Sequence, residues 1–173
     1  MIRDELDLSP DDVVADLGCG TGRIAALVAP HVSQVLAFDY SDLLLKIAAS
    51  RRQADNIVFQ TADLNDLNSA ALPVTKAFAV GSLFYLNSME RVVRLIGGFV
   101  DRGVAFAAID LPDAGIPDRR ERSYDTELYN HLRFDPKFLL GQFPRGRIIR
   151  GRFPGYVNDS SRFSLFIAGK VLE

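Results

Sequence analysis

Between Val13 and Asp110, short apolar runs alternate with segments in which apolar residues recur every three or four positions, and this alternation restricts the fold more than any other property of the sequence. A strand buried on both faces reads as an unbroken apolar run, whereas a helix lying on a sheet shows a one-sided stripe. Alternating the two predicts an α/β fold: a doubly wound, mostly parallel sheet with helices on both faces. Val13 to Leu17 predicts the first strand, followed by a helix from about Thr21 to Ala29 with Ile24, Leu27 and Val28 on one face and Pro30 at its end. "QVLAFD" predicts the second strand, and Ser41 then caps a helix with Leu43, Leu44 and Ile47 as its stripe. "NIVFQ" and "KAFAVG" predict strands three and four, separated by the polar, proline-containing loop "DLNDLNSAALPVT". Ser88 caps a helix carrying Val92, Leu95, Ile96 and Phe99, and "GVAFAAID" predicts the fifth strand. A short helix is expected near "DPKFLL", and "GRIIRGRF" with "RFSLFIAG" predicts a terminal strand pair.

The 173 residues, 48% hydrophobic, suit a single domain spanning 1–173. One cysteine and two histidines leave neither an internal disulfide nor a metal cluster to be expected. No apolar stretch is long enough to cross a bilayer and the start of the chain is acidic, so a cytoplasmic location without membrane partners is the expectation. Residues 1–110 carry 9 Lys/Arg against 14 Asp/Glu, and residues 111–173 carry 11 against 8. The basic residues of "RGRIIRGR" read as a solvated strand face rather than as an anion-binding surface.

The first strand ends in "DLGCGTG". A strand that stops at glycines and turns straight into a helix gathers backbone N–H groups at one point, where Gly18, Gly20 and Gly22 allow an anionic or zwitterionic ligand close to the main chain. In a doubly wound sheet neighbouring strand ends lie side by side. Asp39, closing the second strand, can therefore accept from both hydroxyls of a ribose, and Asp63, closing the third, from the amino group of an adenine. The set fits a ligand with adenosine at one end and a compact charged group at the other. A dinucleotide loop needs Gly-x-Gly-x-x-Gly, but counting from Gly18 the third glycine position holds Arg23.

The ordered motifs "DLGCGTG", "AFDYS" and "TADLNDL" resemble the class I S-adenosylmethionine-dependent methyltransferase family. The resemblance implies a seven-stranded sheet with an antiparallel last strand and S-adenosyl-L-methionine as cofactor. It implies that Asp16 and the loop Gly18, Cys19, Gly20 and Gly22 hold the methionine portion. Asp39, with Tyr40 beside it, would hold the ribose, and Asp63 with the backbone of Leu64 the adenine. Gly81 and Ser82, ending the fourth strand, would lie under the cofactor near the transferred methyl.

The acceptor side is less defined. Ligands bind beyond the carboxyl ends of parallel strands, which favours Asp110 and Asp113 over His131 as a general base, although each aspartate can equally cap a turn. Tyr85 and Phe84 can border the methyl group or equally be core aromatics, and Phe84 reads as core. Residues 111–134, with Tyr124, Tyr129 and His131, suit a substrate-side loop or lid. Only about a dozen residues precede the first strand, where members of the family commonly carry substrate-covering helices. Cover is therefore expected from 111–134, a partner subunit, a second copy, or a part of a longer protein. The fourth strand continues as "GSLFYLN", without the Asn/Asp-Pro-Pro-aromatic signature of methyltransferases acting on nucleobase or amide nitrogens, so no nucleic-acid partner is expected. "AAIDLPDAGIPD" resembles small methyltransferases of surface-sugar and secondary-metabolite pathways, implying a small-molecule substrate. Two alternatives stay open: a non-catalytic cofactor-binding module of a larger assembly, and an NAD-dependent oxidoreductase.

Overall fold

The structure is a computed structural model that describes residues 2–52, 54–109, 136–152 and 162–169. After helix α1 (Ile2–Glu5), strands β1 (Val13–Leu17), β2 (Gln34–Asp39), β3 (Ile57–Thr61), β4 (Lys76–Val80) and β5 (Ala105–Ile109) alternate with helices α2 (Arg23–Val28), α3 (Asp42–Arg51) and α4 (Met89–Val100). Helix α5 (Pro136–Gln142) and strands β6 (Arg147–Arg152) and β7 (Arg162–Ala168) follow. The seven strands form one sheet in the order β3-β2-β1-β4-β5-β7-β6. Strands β1 to β5 pair in parallel, while β7 runs antiparallel to both β5 and β6.

Side chains alternate across this sheet and feed two separate cores. Leu36, Phe38, Phe106 and Phe166 pack on one face with α4, and Val35, Ala37, Phe78 and Ile167 on the other with Val28 of α2 and Leu45 of α3. Helix α4 follows the expectation closely: Ser88 Oγ accepts the Arg91 N–H at 3.3 Å, and Val92, Leu95, Ile96 and Phe99 are all buried. Ser41 caps α3 in the same way through the Leu44 N–H.

The two shorter stripes depart from expectation to different degrees: in α2 Val28 and Ile24 pack on the core as expected and only Leu27 turns outward, whereas the α3 stripe is rotated. In α2 the buried residues are Ala25 and Val28, leaving Leu27 65% exposed; in α3 they are Leu45 and Ala48, leaving Leu43 68% exposed. Small alanines on the inner faces let these helices lie close to the sheet, and the leucines beside them turn outward. Helix α2 also begins two residues later than expected, because Gly20 and Gly22 at φ +55° and +70° keep the loop from helical geometry. On the far edge, Arg147 of β6 pairs with Glu5 of α1 at 2.6 Å. Among the described residues no helix is long and apolar enough to cross a membrane.

Candidate functional site

The residues singled out for the cofactor lie at or just past the carboxyl ends of β1, β2, β3 and β4, and hydrogen bonds tie the glycine loop to β2 and β4. Gly18, Gly20 and Gly22 all adopt positive φ, at +76°, +55° and +70°. The N–H groups of Gly18 and Cys19 both donate to the Phe38 carbonyl at 2.8 Å, pinning the start of the loop to β2. Asp39 then braces the loop from the same strand. Its Oδ2 accepts the Gly20 N–H at 2.7 Å and its Oδ1 the Ser41 N–H at 2.9 Å. From the other side, the buried Ser82 hydroxyl donates to the Leu17 carbonyl at 2.5 Å. The Ala62 N–H donates to the Asp39 carbonyl at 2.9 Å and carries the β3 exit to the same place.

Asp16 is the electrostatic centre of the site. It is 1% exposed, and its Oδ2 has no hydrogen-bond partner among the described residues. Burial, opposed by the Ala25 N–H but reinforced by the Asp39 charge, pushes its carboxyl from 3.8 up to about 8. A buried carboxyl with one unpartnered oxygen is costly in a folded chain and fits a cationic or N–H-bearing group. Two glycines open a path to the main chain: a Cβ built on Gly20 or on Gly81 meets no atom within 4 Å. By contrast, a Cβ on Gly22 would lie 2.9 Å from the Phe59 ring, so that glycine serves packing. The residues present therefore fit a ligand with a protonated amine and compact polar groups.

Cys19 is buried in the loop, its Sγ 3.8 Å from the Gly20 carbonyl. Burial first, then the charges of Asp16 and Asp39, push its thiol up, which keeps it protonated and unreactive. Tyr40 is 77% exposed beside Asp39. Asp63 and Gly81 lie just past the strand ends rather than on them, since β3 stops at Thr61 and β4 at Val80. Leu64 is half-buried against the core. In the turn Leu83–Tyr85, Leu83 is buried and Phe84 packs on the core as expected, whereas Tyr85 is 62% exposed. Asp110, Asp113, Tyr124, Tyr129 and His131, together with the segment 111–134, lie outside the described residues.

One part of the site escaped sequence reasoning. Asn65 donates from its backbone and its side chain to Asp63 Oδ1, while accepting from the Asn87 N–H and from Arg91. Polar residues in two separate loops carry no periodic signal that would have revealed the connection.

Comparison with known proteins agrees with this geometry. A family profile described as "Methyltransferase domain" matches residues 14–101, more than half of the chain. An O-methyltransferase from Pyrenophora dematioidea is 28% identical over 123 residues, covering 68% of this chain and 46% of the relative. The chain thus spans about half the length of that curated relative. Among solved structures, an S-adenosylmethionine-dependent methyltransferase from Mesorhizobium loti superposes with a TM-score of 0.72 at 19% identity, covering 98% of this chain and 95% of the other. The N-methyltransferase NodS from Bradyrhizobium japonicum, solved with S-adenosyl-L-homocysteine, gives 0.69 at 17% identity over 96% and 81% of the two chains. These structural likenesses concern the fold. The profile match, the strand order with its antiparallel β7 and the glycine loop braced by Asp39 together place the chain in the class I S-adenosylmethionine-dependent methyltransferase family.

Proposed function

We propose that the chain transfers a methyl group from S-adenosyl-L-methionine to a small-molecule acceptor, and that the cofactor lies across the exits of β1 to β4. The observation that carries this reading is the buried, unpartnered Oδ2 of Asp16 beside a glycine loop cross-braced by Asp39. Asp16 is the acceptor for the ammonium of the methionine portion, and Gly20 and Gly81 leave the main chain open to approach. Each Asp39 oxygen holds one backbone donor and retains acceptor capacity for a ribose hydroxyl. Asp63 accepts from the adenine amino group, with Leu64 alongside, and Tyr40 flanks the ribose. Ser82 fixes the β4 exit by its bond to Leu17.

Bound there, S-adenosylmethionine supplies a methyl group on a cationic sulfur, open to in-line attack by a nucleophile. What this chain contributes is orientation and exclusion of water. Tyr85 faces solvent just past Gly81 and is the proposed acceptor-side contact. Asp110 and Asp113, followed by His131, are the proposed proton acceptors for a hydroxyl nucleophile, and 111–134 the proposed cover. The missing nucleobase signature after β4 and the near-balanced charge favour a small molecule in the cytoplasm over nucleic acid.

The test has two stages. Titration calorimetry with S-adenosyl-L-homocysteine should show saturable binding, and its absence would remove the cofactor assignment. Labelled S-adenosylmethionine offered with a panel of phenols, amines and sugars should then yield a labelled small product. Label in RNA or protein only would overturn the small-molecule reading. Binding without any transfer would favour the non-catalytic module instead.

A further inference from the structure

We infer that Asn65 is a positioning residue: it sets the Asp63 carboxylate for the exocyclic amino group of the base, and so lets this chain read adenine over hypoxanthine. The inference rests on the proposed role of Asp63 as the adenine acceptor.

A carboxylate turns easily about its last bond and by itself recognises poorly. Here its turning is blocked. The Asn65 N–H and the Asn65 Nδ2 both donate to Asp63 Oδ1, at 2.8 and 2.9 Å, and neither goes to Oδ2. The orientation of the Asn65 amide is itself fixed, because its Oδ1 accepts the Asn87 N–H at 2.9 Å and a backbone N–H can only donate. A third tie holds the backbone: Arg91 Nη1 donates to the Asn65 carbonyl at 2.9 Å. Asn87 and Arg91 belong to the segment that enters α4, so the β3 exit is referenced to the β4 side of the cleft rather than left as a free loop.

Adenine and hypoxanthine differ at the 6-position, an N–H donor in one and a carbonyl oxygen in the other, and at N1, which carries a hydrogen only in hypoxanthine. An acceptor held opposite the 6-position pairs with adenine but faces the hypoxanthine carbonyl, and because it is fixed it cannot shift to the N1–H.

The experiment compares affinities for S-adenosyl-L-homocysteine and S-inosyl-L-homocysteine by titration calorimetry. The protein with Asn65 in place should prefer the adenosyl compound by about tenfold or more, the span of one hydrogen bond to a charged acceptor. Asn65→Ala should bring the two affinities within about threefold of each other. Asn65→Asp should bind the adenosyl compound more weakly still, because it turns a carboxylate oxygen toward Asp63. Circular dichroism verifies folding, and Asn65→Ser, which like alanine keeps the backbone donor and loses the amide but retains a small polar group, replaces the alanine variant should that one not fold. A merely structural Asn65 would lower both affinities by the same factor, so a variant that keeps the original preference overturns the inference. Absence of any preference in the unsubstituted protein overturns the adenine role of Asp63 itself, and with it the inference.

Discussion

Gly18 and Ser82 are packed backbone against side chain: a Cβ added at Gly18 would lie 2.3 Å from the Cβ of Ser82 and 2.9 Å from its Oγ. Gly18→Ala therefore meets both a clash and an unfavourable φ of +76°. A loss of about 2–4 kcal/mol of stability is expected by thermal denaturation, together with loss of S-adenosyl-L-homocysteine binding. Adding Ser82→Gly should restore part of the stability, since the Cβ and Oγ that the new methyl meets are removed. A double variant no more stable than Gly18→Ala would show that backbone strain alone dominates.

Asp39 has a second task beyond the one expected of it. It holds the loop at Gly20 and the α3 cap region at Ser41, in addition to the ribose contact proposed for it. Asp39→Ala should weaken S-adenosyl-L-homocysteine binding by about 100-fold or more, because loop bracing and ribose contacts are lost together. Asp39→Asn keeps a single acceptor oxygen and should fall between. Unchanged affinity in the alanine variant, read by calorimetry, would refute both tasks.

The raised carboxyl of Asp16 predicts a pH signature. Folded, it keeps its proton up to about pH 8, while unfolded it loses it near 3.8. The unfolded chain then binds fewer protons across that window, so this group's contribution to stability is complete below the lower value and is lost as pH rises through the higher one. Denaturant titrations from pH 5 to pH 8 should show a declining component that Asp16→Asn lacks. A ligand ammonium reverses the balance by favouring the charged form. Binding of S-adenosyl-L-homocysteine at pH 7 should release about one proton to buffer, detected as a binding enthalpy that differs between phosphate and Tris. Equal enthalpies in the two buffers would separate Asp16 from the ligand amine.

Adjacent glycines in α4 should respond with opposite signs. A Cβ on Gly97 meets only Asp101 Oδ2 at 3.9 Å, so Gly97→Ala should gain about 0.5–1 kcal/mol from helix propensity. On Gly98 the same atom would lie 2.2 Å from Ser69 Oγ and 2.9 Å from the Ala70 backbone nitrogen, where α4 packs against the turn Ser69–Ala71. The hydroxyl can rotate away but the backbone cannot, so Gly98→Ala should lower the melting temperature. Equal shifts for the two variants would contradict this packing.

What could be read from the sequence followed the strength of its periodic signals. The bounds of β1 and β2 are legible because each is a short, mostly apolar run set off by polar residues or glycine, with only Asp16 interrupting β1, and those of α4 because a serine cap precedes four apolar residues on one face. The outward turn of Leu27 in α2 and of Leu43 in α3 is not legible in the sequence, because alanine carries almost no hydrophobic signal yet occupies the buried positions Ala25 and Ala48. At the site, the glycines and aspartates were visible as types at the expected spacing. The ties that give them geometry were not: Asp39 to Gly20 spans 19 residues and Asn65 to Asn87 spans 22, and a single sequence holds no trace of polar partners brought together only by strand order.

The placing of β7 also bears on how the chain is made. This strand is synthesised after β5 and β6 but sits between them, so neither neighbour can complete its hydrogen bonding while the nascent chain is still short of residue 162. Until then β5, entirely apolar, presents an unpaired edge. During translation β1 to β4 have all their strand partners once β5 is made, whereas the far edge of β5 stays open to mispairing until that late strand arrives.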